Sequence, residues 1–225
     1  MSLTFSLSGT ESVLSATYHP PINLNPRKRY ALGLVSFNTF FTVPNLINKK
    51  FYYGGGKVII IPNGYYDITD LEKLLKDKLG SDNIFLKAPT HSTKCELWSQ
   101  FEVDFTPDDS LHKELGFKQQ KYVKRNKIYF ADSPVDLVKV KLIRIECNIT
   151  SGSYHNHQDV HSLHHFAPNV GHAVAINEHP RNIIYLPVNV QTIHNITLRI
   201  VDQNRELLDF QKENIEIKLE LKPWD

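Results

Sequence analysis

The sequence predicts an all-β protein: a single jelly-roll β-sandwich with two short helices in its loops. Apolar and polar residues alternate in about ten segments, as they do in strands with one buried face. Pro, Gly, Asn and Asp clusters separate these segments. Helical periodicity occurs in only two places, which excludes the strand–helix rhythm of a doubly wound sheet. The long first strands favour a jelly roll over an immunoglobulin-type sandwich.

The strand candidates extend over the whole chain. The first is LTFSLSG, in which Leu3, Phe5 and Leu7 share one face. The others are SVLSATYHPPINL, YALGLVSFNTFFTV, KVIIIPNGYY, ELWSQFEVDF, KIYFA, LVKVKLIRIECNIT, NIIYLPVNV, ITLRIVD and NIEIKLELK. Leu142 and Ile143 interrupt one alternation, which predicts a bulge or a strand buried on both faces. The last two strands are predicted to form a closing hairpin whose final strand lies inside a sheet.

The first helix is predicted in YYDITDLEKLLKDKLGS. Thr69 and Glu72 have the spacing of a capping box, and Gly80 stands where a C-terminal cap belongs. The buried stripe of this helix is predicted to consist of four leucines, Leu71, Leu74, Leu75 and Leu79.

The second helix is predicted in PDDSLHKELGF and is shorter. Asp109 or Ser110 is the expected N-cap, and Gly116 is the expected stop. Leu111 and Leu115 are the expected buried pair, because they stand four residues apart on one helix face.

Length and charge limit the domain count and the function. The 225 residues suit one well-buried domain, and neither a linker nor an internal repeat divides them, so a single domain over residues 1–225 is expected. A net charge of +2 argues against a general nucleic-acid binder. A solvated strand edge is favoured over a polyanion site for the local basic run, Lys118, Lys121, Lys124, Arg125 and Lys127.

The cysteines and the start of the chain indicate a reducing compartment. Cys95 and Cys147 stand far apart in apolar stretches, which predicts buried free thiols. The opening MSLTFSLSGT lacks the features of a signal peptide, and no run approaches the ~20 apolar residues of a membrane span. Asn148 and Asn195 match the glycosylation pattern but are interpreted as ordinary strand residues.

The segment SGSYHNHQDVHSLHHF holds five of the eleven histidines. If a metal were bound, the candidate ligands would be His155, His157 and His161. The pattern departs from a cupin metal site, because His161 stands where a Glu is required and the second motif near His172 follows too soon. The prediction is therefore a polar histidine loop without a functional metal. A cupin-like metalloenzyme that uses the cluster between His155 and His172 stays open as an alternative.

No other catalytic motif is present in the sequence. YYGGGK is interpreted as a hairpin tip, because Lys57 begins a strand and no Ser or Thr follows it as in a phosphate-binding loop. Nucleophile-elbow and zincin motifs are missing, and no acid–base pair of carboxylates stands out. The expectation is a protein that is not an enzyme and needs no cofactor.

A series of motifs resembles a known family. In order they are IIIPNGYYDITDLEKLL, FEVDFTPDDSLHKELGF, VKLIRIECNITSGSY, NIIYLPVNVQTIHNITLRIVDQNRELLDF and IEIKLEL. Together they resemble the minor capsid (penton) protein of Maverick/Polinton elements and adintoviruses, from about Leu3 to Leu221. One departure lies near the end, where Asn204-Arg205 and Gln211-Lys212 stand in place of the family's Gly-containing turns.

The resemblance implies a structural subunit at the vertices of an icosahedral capsid. It implies a homopentamer of single jelly rolls that contacts a double-jelly-roll major capsid protein, with no specific nucleic acid and no membrane as partner. The protein would reside in the virion after synthesis in the host cytoplasm, with the nucleus as a further place of assembly. A ring of copies needs two complementary side surfaces rich in aromatic residues. The interface candidates are Phe37, Phe40, Phe41, Phe51, Tyr52 and Tyr53.

Two further hypotheses concern partners and pH. A histidine-rich loop at a subunit interface would respond to acid, since His changes its charge between pH 5 and 8. A carbohydrate- or receptor-binding jelly roll is a further alternative to the capsid protein. Like the cupin-like enzyme, it would belong to a different functional class.

Overall fold

The computed structural model describes residues 2–89, 92–123, 125–155 and 158–224. The chain forms two compact units: unit 1 is Met1–Val43 together with Val140–Asp225, and unit 2 is Pro44–Lys139. Unit 2 is thus an insertion in the chain of unit 1. The single domain predicted over residues 1–225 stays a prediction, and joint or separate unfolding of the two units is its test.

The elements are numbered in chain order. Unit 1 begins with β1 (Leu3–Gly9), β2 (Val13–Asn23) and β3 (Tyr30–Phe40). Unit 2 contains β4 (Lys50–Tyr53), β5 (Lys57–Ile60), α1 (Ile68–Leu79), β6 (Ile84–Lys87), β7 (Lys94–Ser99), β8 (Val103–Asp104), α2 (His112–Leu115), β9 (Lys121–Tyr122) and β10 (Ile128–Pro134). Unit 1 continues with β11 (Ile143–Cys147), β12 (Tyr154–His155), β13 (Gln158–Asp159), β14 (Ser162–Phe166), β15 (Ala175–Glu178), β16 (Tyr185–Pro187), β17 (Thr192–Val201) and β18 (Ile215–Pro223).

Unit 1 is a jelly roll of two antiparallel sheets. One sheet has the order β1-β18-β3-β15, with β16 also paired to β3, and the other has the order β14-β11-β17-β2. Along the chain, strands of the first sheet alternate with strands of the second, apart from the successive pairs β11 and β14 in the second sheet and β15 and β16 in the first. This interleaving is the jelly-roll topology. The predicted fold class, an all-β jelly roll with two short helices, is confirmed.

The final strand, β18, lies in the middle of its sheet. It pairs with β1 on one side and with β3 on the other. Ile215, Ile217, Leu219 and Leu221 are fully buried and alternate with more exposed residues, so one face of the strand enters the core. The prediction that the last strand lies inside a sheet is confirmed.

The predicted closing hairpin is wrong. β17 pairs with β11 and β2, whereas β18 belongs to the other sheet, and the segment 202–214 connects the two. Each strand has one apolar face, and placing them in opposite sheets buries both faces in the same interior. Arg205, Gln211 and Lys212 in this connection have φ values of 68°, 55° and 65°. The chain therefore makes left-handed turns in this connection with residues other than Gly.

The broken alternation at Leu142 and Ile143 predicted a bulge or a strand buried on both faces, and β11 has both features. All five of its residues are buried, and its register with β14 shifts between Ile145 and Glu146. On the face away from the core, the Glu146 carboxylate accepts hydrogen bonds from Arg199 at 3.3 Å and from Arg205 at 2.8 Å. These two partners compensate the burial of the charge.

Unit 2 combines two small sheets, with orders β10-β7-β6 and β5-β4-β8-β9, with both helices. Its core includes the helix residues Leu71, Leu75, Leu111 and Leu115. The glycines of YYGGGK form the tip of the hairpin between β4 and β5, and all three have positive φ. The interpretation of this motif as a hairpin tip is confirmed.

The N-cap of α1 is Asp67, which corrects the predicted cap at Thr69. The Asp67 carboxylate accepts from the amide of Asp70 at 2.8 Å, and the Asp70 carboxylate accepts from the amide of Asp67 at 3.1 Å. The capping box is therefore present two residues earlier than predicted, because these two Asp have the same spacing as Thr69 and Glu72. Gly80 caps the C-terminus as predicted, and Leu74 is partly buried beside the fully buried stripe.

The N-cap of α2 is Leu111, which makes no side-chain capping bond, so the predicted caps Asp109 and Ser110 are both wrong. Both side chains have other partners. The Ser110 hydroxyl donates to the carbonyl of Phe105 at 3.1 Å, and the Asp109 carboxylate accepts from the Tyr52 hydroxyl at 2.8 Å. The predicted stop at Gly116 and the burial of Leu111 and Leu115 are confirmed.

Both cysteines are free and buried, as predicted. Burial raises the pKa of the Cys95 thiol to about 12 and that of the Cys147 thiol to about 11. Both thiols are therefore protonated at neutral pH and unreactive. Over the residues that the structure describes, no helix is both long and apolar enough to cross a membrane.

Candidate assembly surfaces

Among the strands that the structure describes, the jelly roll of unit 1 has two opposite sides at which the terminal strands pair along one edge only. β1 and β2 are the terminal strands of their sheets on one side, and β14 and β15 are the terminal strands on the other. Free edges expose backbone N–H and C=O groups that another chain can pair with. These two sides are therefore the candidate surfaces for contacts between copies.

The β1/β2 side is rich in hydroxyl groups. Ser15 Oγ lies 3.0 Å from Thr197 Oγ1 on the neighbouring strand β17. The exposed hydroxyl residues of the two edge strands are Thr4, Ser6, Ser8, Ser15 and Thr17. Short hydroxyl side chains leave the strand edges accessible and offer both donors and acceptors to a partner.

The β14/β15 side combines a His–Glu hydrogen bond with apolar surface. His164 Nε2 lies 3.1 Å from Glu178 Oε1, which joins β14 in one sheet to β15 in the other. The His164 ring stacks on Phe166 at a centroid distance of 5.9 Å. Phe40, which pairs with the first residue of β15, is 49% exposed, and Val174 is exposed to the same extent. This side can therefore offer both apolar area and polar side chains.

The predicted histidine loop is partly a strand. His164 and His165 belong to β14, which pairs with β11. His161 has a φ of 49°, and its Nδ1 donates to the carbonyl of Thr150 at 2.5 Å. The other two metal candidates are His155 and His157. The whole of His157 and the side chain of His155 lie outside the described residues. Among the residues that are described, no group of three or more His, Cys, Asp or Glu is arranged to hold a metal.

Three of the six predicted interface aromatics are core residues. Phe37 and Phe51 are fully buried and Phe41 is 6% exposed, so their side chains have almost no surface left for a partner. Phe37 packs on Phe166 and Phe210 instead. Alternation alone does not distinguish a buried aromatic face from an exposed one, which is why the sequence did not separate them.

Phe40, Tyr52 and Tyr53 keep some exposed surface and stay predicted contact residues. Tyr52 donates its hydroxyl proton to Asp109, and this hydrogen bond raises the pKa of Tyr52. Asp109 also pairs with Lys50 at 2.9 Å. Val174 was missed by the sequence reasoning, because it lies in a loop and becomes significant only beside Phe40.

The basic run of unit 2 pairs with carboxylates of the same unit. Lys118 lies 3.0 Å from Asp132, and Lys121 lies 3.1 Å from Asp104. Both contacts are hydrogen bonds that raise the pKa of the lysine. Lys124 lies outside the described residues. These pairs agree with a solvated strand edge.

The sheet order and the strand edges define the class of this protein as a jelly-roll β-sandwich with an inserted unit. A solved structure with a similar fold is the selenomethionine-labelled mavirus penton protein, with a TM-score of 0.55 and 14% sequence identity over 99% of each chain. The resemblance to a penton protein is confirmed at the level of the fold. No protein-family model and no curated protein matches the chain.

Proposed function

We propose that this chain is a structural protein without enzymatic activity, the penton subunit at the vertices of an icosahedral capsid. The observation that carries the proposal is the similarity to the mavirus penton protein, which extends over 99% of both chains and so includes the segment inserted between β3 and β11. The sequence motifs support a Maverick/Polinton or adintovirus-like element as the source. The virion is the proposed location.

The proposed pentamer closes by head-to-tail contact between unlike sides of the jelly roll. A ring requires two different surfaces on each copy, one complementary to the other. The β1/β2 side offers hydroxyl groups and free strand edges, whereas the β14/β15 side offers Phe40, Val174 and the His164–Glu178 pair. A double-jelly-roll major capsid protein is the proposed second partner, around the rim of the pentamer.

Light scattering coupled to size exclusion tests the pentamer. We expect a particle with five times the chain mass of 25.9 kDa, unchanged by a chelator. Replacing Phe40 with Asp should convert the particle to monomers, because a charge would be buried in the contact. Ile60→Asp is the matched control, since Ile60 is 70% exposed and belongs to unit 2.

The outcomes separate the proposed function from its alternatives. Pentamers that persist in the Phe40→Asp variant would show that the contact between copies lies on another surface. A monomer that holds stoichiometric metal after dialysis would instead favour the cupin-like enzyme. If the chain is monomeric and metal-free, co-expression with the major capsid protein tests whether capsids incorporate it. Density for this chain away from the capsid vertices would then contradict the proposal. Repeating the measurement at pH 5 and pH 8 tests the predicted acid response, which equal stability would disprove.

A cleft in unit 1 favours a carbohydrate- or receptor-binding role as the second candidate. Its volume is about 550 Å³, and its lining includes Tyr30, Asn189, Gln191 and Trp224. Trp224 is 50% exposed, and a half-exposed aromatic ring beside amide side chains suits a sugar ring. A glycan array probed with the wild type and Trp224→Ala tests this role. Glycan binding that is unchanged in Trp224→Ala would exclude the cleft as the binding site.

A further inference from the structure

The cleft of about 550 Å³ in unit 1 lies where three segments of the jelly roll meet. They are the connection between β2 and β3, the connection between β16 and β17, and the residue that follows β18. Backbone hydrogen bonds hold these segments together. The Leu24 amide donates to the Gln191 carbonyl, and the Trp224 amide donates to the Arg29 carbonyl, each at 2.9 Å. The walls of the cleft are therefore in place before a ligand binds.

Two cations without a counter-charge line this cleft. Lys28 and Arg29 are both exposed. Within the part of the chain that the structure describes, neither forms an ion pair, and no Asp or Glu lines the cleft. Lys118 and Lys121 of unit 2, in contrast, are paired with carboxylates. Uncompensated positive charge in a cleft raises the local concentration of anions, so the charge favours an anionic ligand.

Amide side chains line the same cleft. Asn189 and Gln191 are exposed, and their side chains form no hydrogen bond with any other described residue. Each amide offers both donor N–H groups and an acceptor oxygen. A sugar hydroxyl donates and accepts, so it can bond to either end of an amide, whereas phosphodiester groups and the carboxylates of an acidic peptide only accept. The two amides therefore favour a ligand with hydroxyl groups.

Trp224 gives the cleft an exposed aromatic ring. Its side chain is half exposed, and the backbone bond to Arg29 holds the residue beside the cations. Tyr30, the other aromatic residue among the described lining residues, is partly buried. One amphipathic ring suits the apolar face of one sugar ring. A single-stranded nucleic acid instead needs a series of rings along a longer track of cations.

We propose that this cleft binds an acidic glycan, in which a sugar ring carries a carboxylate or a sulfate group. In the complex Trp224 stacks on the apolar face of the ring, and Asn189 and Gln191 bond to its hydroxyl groups. Arg29 and Lys28 pair with the anionic group, since the guanidinium fork matches two oxygens of either anion. The inference rests on the carbohydrate-binding role given above as the second candidate, and it does not depend on the capsid role.

Surface plasmon resonance of the full-length protein on immobilised glycan polymers tests the proposal. One set of polymers carries glucose, glucuronic acid, or glucose sulfated at its primary hydroxyl, and a second set carries lactose or sialyllactose. We expect at least one acidic glycan to bind at least about tenfold more tightly than its neutral counterpart, because a charge-assisted bond is added. The acidic probe that binds identifies the anion as a carboxylate or a sulfate.

Four variants distinguish the charge from the ring. Arg29→Gln and Lys28→Gln should each weaken binding of the acidic glycan by at least about tenfold and leave the neutral glycan within about twofold. Trp224→Ala should weaken binding of both, since stacking does not depend on the anion. Arg181→Gln is the matched control, because Arg181 is an exposed arginine of unit 1 outside the described lining, and it should leave both affinities within about twofold.

Four results would overturn the proposal. Equal affinities for acidic and neutral glycans would reject it and keep the carbohydrate-binding role. Binding to no glycan would reject both, and the capsid role would still depend on its own test. Acidic-glycan binding that persists in the Arg29→Gln and Lys28→Gln variants would place the site elsewhere on the chain. Tighter binding of polyglutamate or oligothymidylate that Arg29→Gln abolishes would assign the cleft to an acidic peptide or a nucleic acid. Circular dichroism of each variant distinguishes a lost contact from a lost fold.

Discussion

The outer faces of the sheets differ between the two units. In unit 1 the outward side of β18 carries polar groups: the Glu220 carboxylate accepts from Ser2 at 2.8 Å and from Tyr185 at 2.6 Å. This contact raises the pKa of Tyr185 to about 12, and Lys222 lies 3.5 Å above the same ring. In unit 2 the outward side of β10 carries Ile128 and Phe130. Polar groups keep their hydrogen bonds in water, whereas the exposed rings and aliphatic groups of unit 2 lie against solvent at a free-energy cost.

The two units also differ in how far apart their paired strands lie in the sequence. In unit 1, β1 pairs with β18, so that Leu3 faces Leu221. In unit 2, β4 pairs with β5 and β6 pairs with β7, which are neighbours along the chain. Long-range pairs close large loops and form slowly, whereas local hairpins form early. We therefore expect unit 2 to gain protection from hydrogen exchange before unit 1 does.

The largest effect is expected from emptying either core. Phe37 in unit 1 and Phe51 in unit 2 are both fully buried, so Phe37→Ala and Phe51→Ala should each reduce the free energy of unfolding by about 3–5 kcal/mol. Calorimetry measures the transitions. If the single predicted domain is correct, both variants shift the same transition. Two transitions, each moved by only one of the variants, would show that the units unfold separately.

An intermediate effect is expected in unit 2 at Gly116, which has a φ of 77°. A side chain there would overlap the carbonyl of Ser133 and approach the Pro134 oxygen to 2.9 Å. Gly116→Ala should therefore cost about 2–4 kcal/mol by chemical denaturation. Gly55→Ala is the control, because Gly55 has a φ of 76° but open space around it, and should cost only about 1 kcal/mol. Equal losses of stability in the two variants would show that the positive φ, and not the close approach to Ser133, determines the cost of the substitution.

The smallest effect is expected in unit 1, in the connection between β17 and β18. Gln211 is exposed and has a φ of 55°, a conformation that Gly adopts without strain. Gln211→Gly should stabilise the protein by about 0.5 kcal/mol in thermal unfolding, since relief of strain exceeds the added chain entropy. Glu213→Gly is the control, because Glu213 has no positive φ, and it should destabilise. A loss for both variants would mean that the turn at Gln211 carries little strain.

Much of the jelly roll follows from local patterns. The strand with Ile215, Ile217, Leu219 and Leu221 is predicted by a period of two, because each of its apolar residues faces one core. α1 is predicted by its leucine stripe and by Gly80, and its cap was misplaced by two residues because two pairs in the segment have capping-box spacing. Signals of this kind depend on neighbours in sequence, which the sequence displays directly.

By itself, the sequence determined the all-β class, the strand candidates, both helices, the buried free thiols and the penton-like motif order. The tertiary structure alone decided which strands pair. It placed β17 and β18 in opposite sheets, buried Phe37 while it exposed Phe40, and aligned Phe85, Trp98 and Ile128 in one row. The physical reason is that alternation reports two faces of a strand but not what covers each face. Covering depends on residues far apart in the chain, and only the folded chain brings them together.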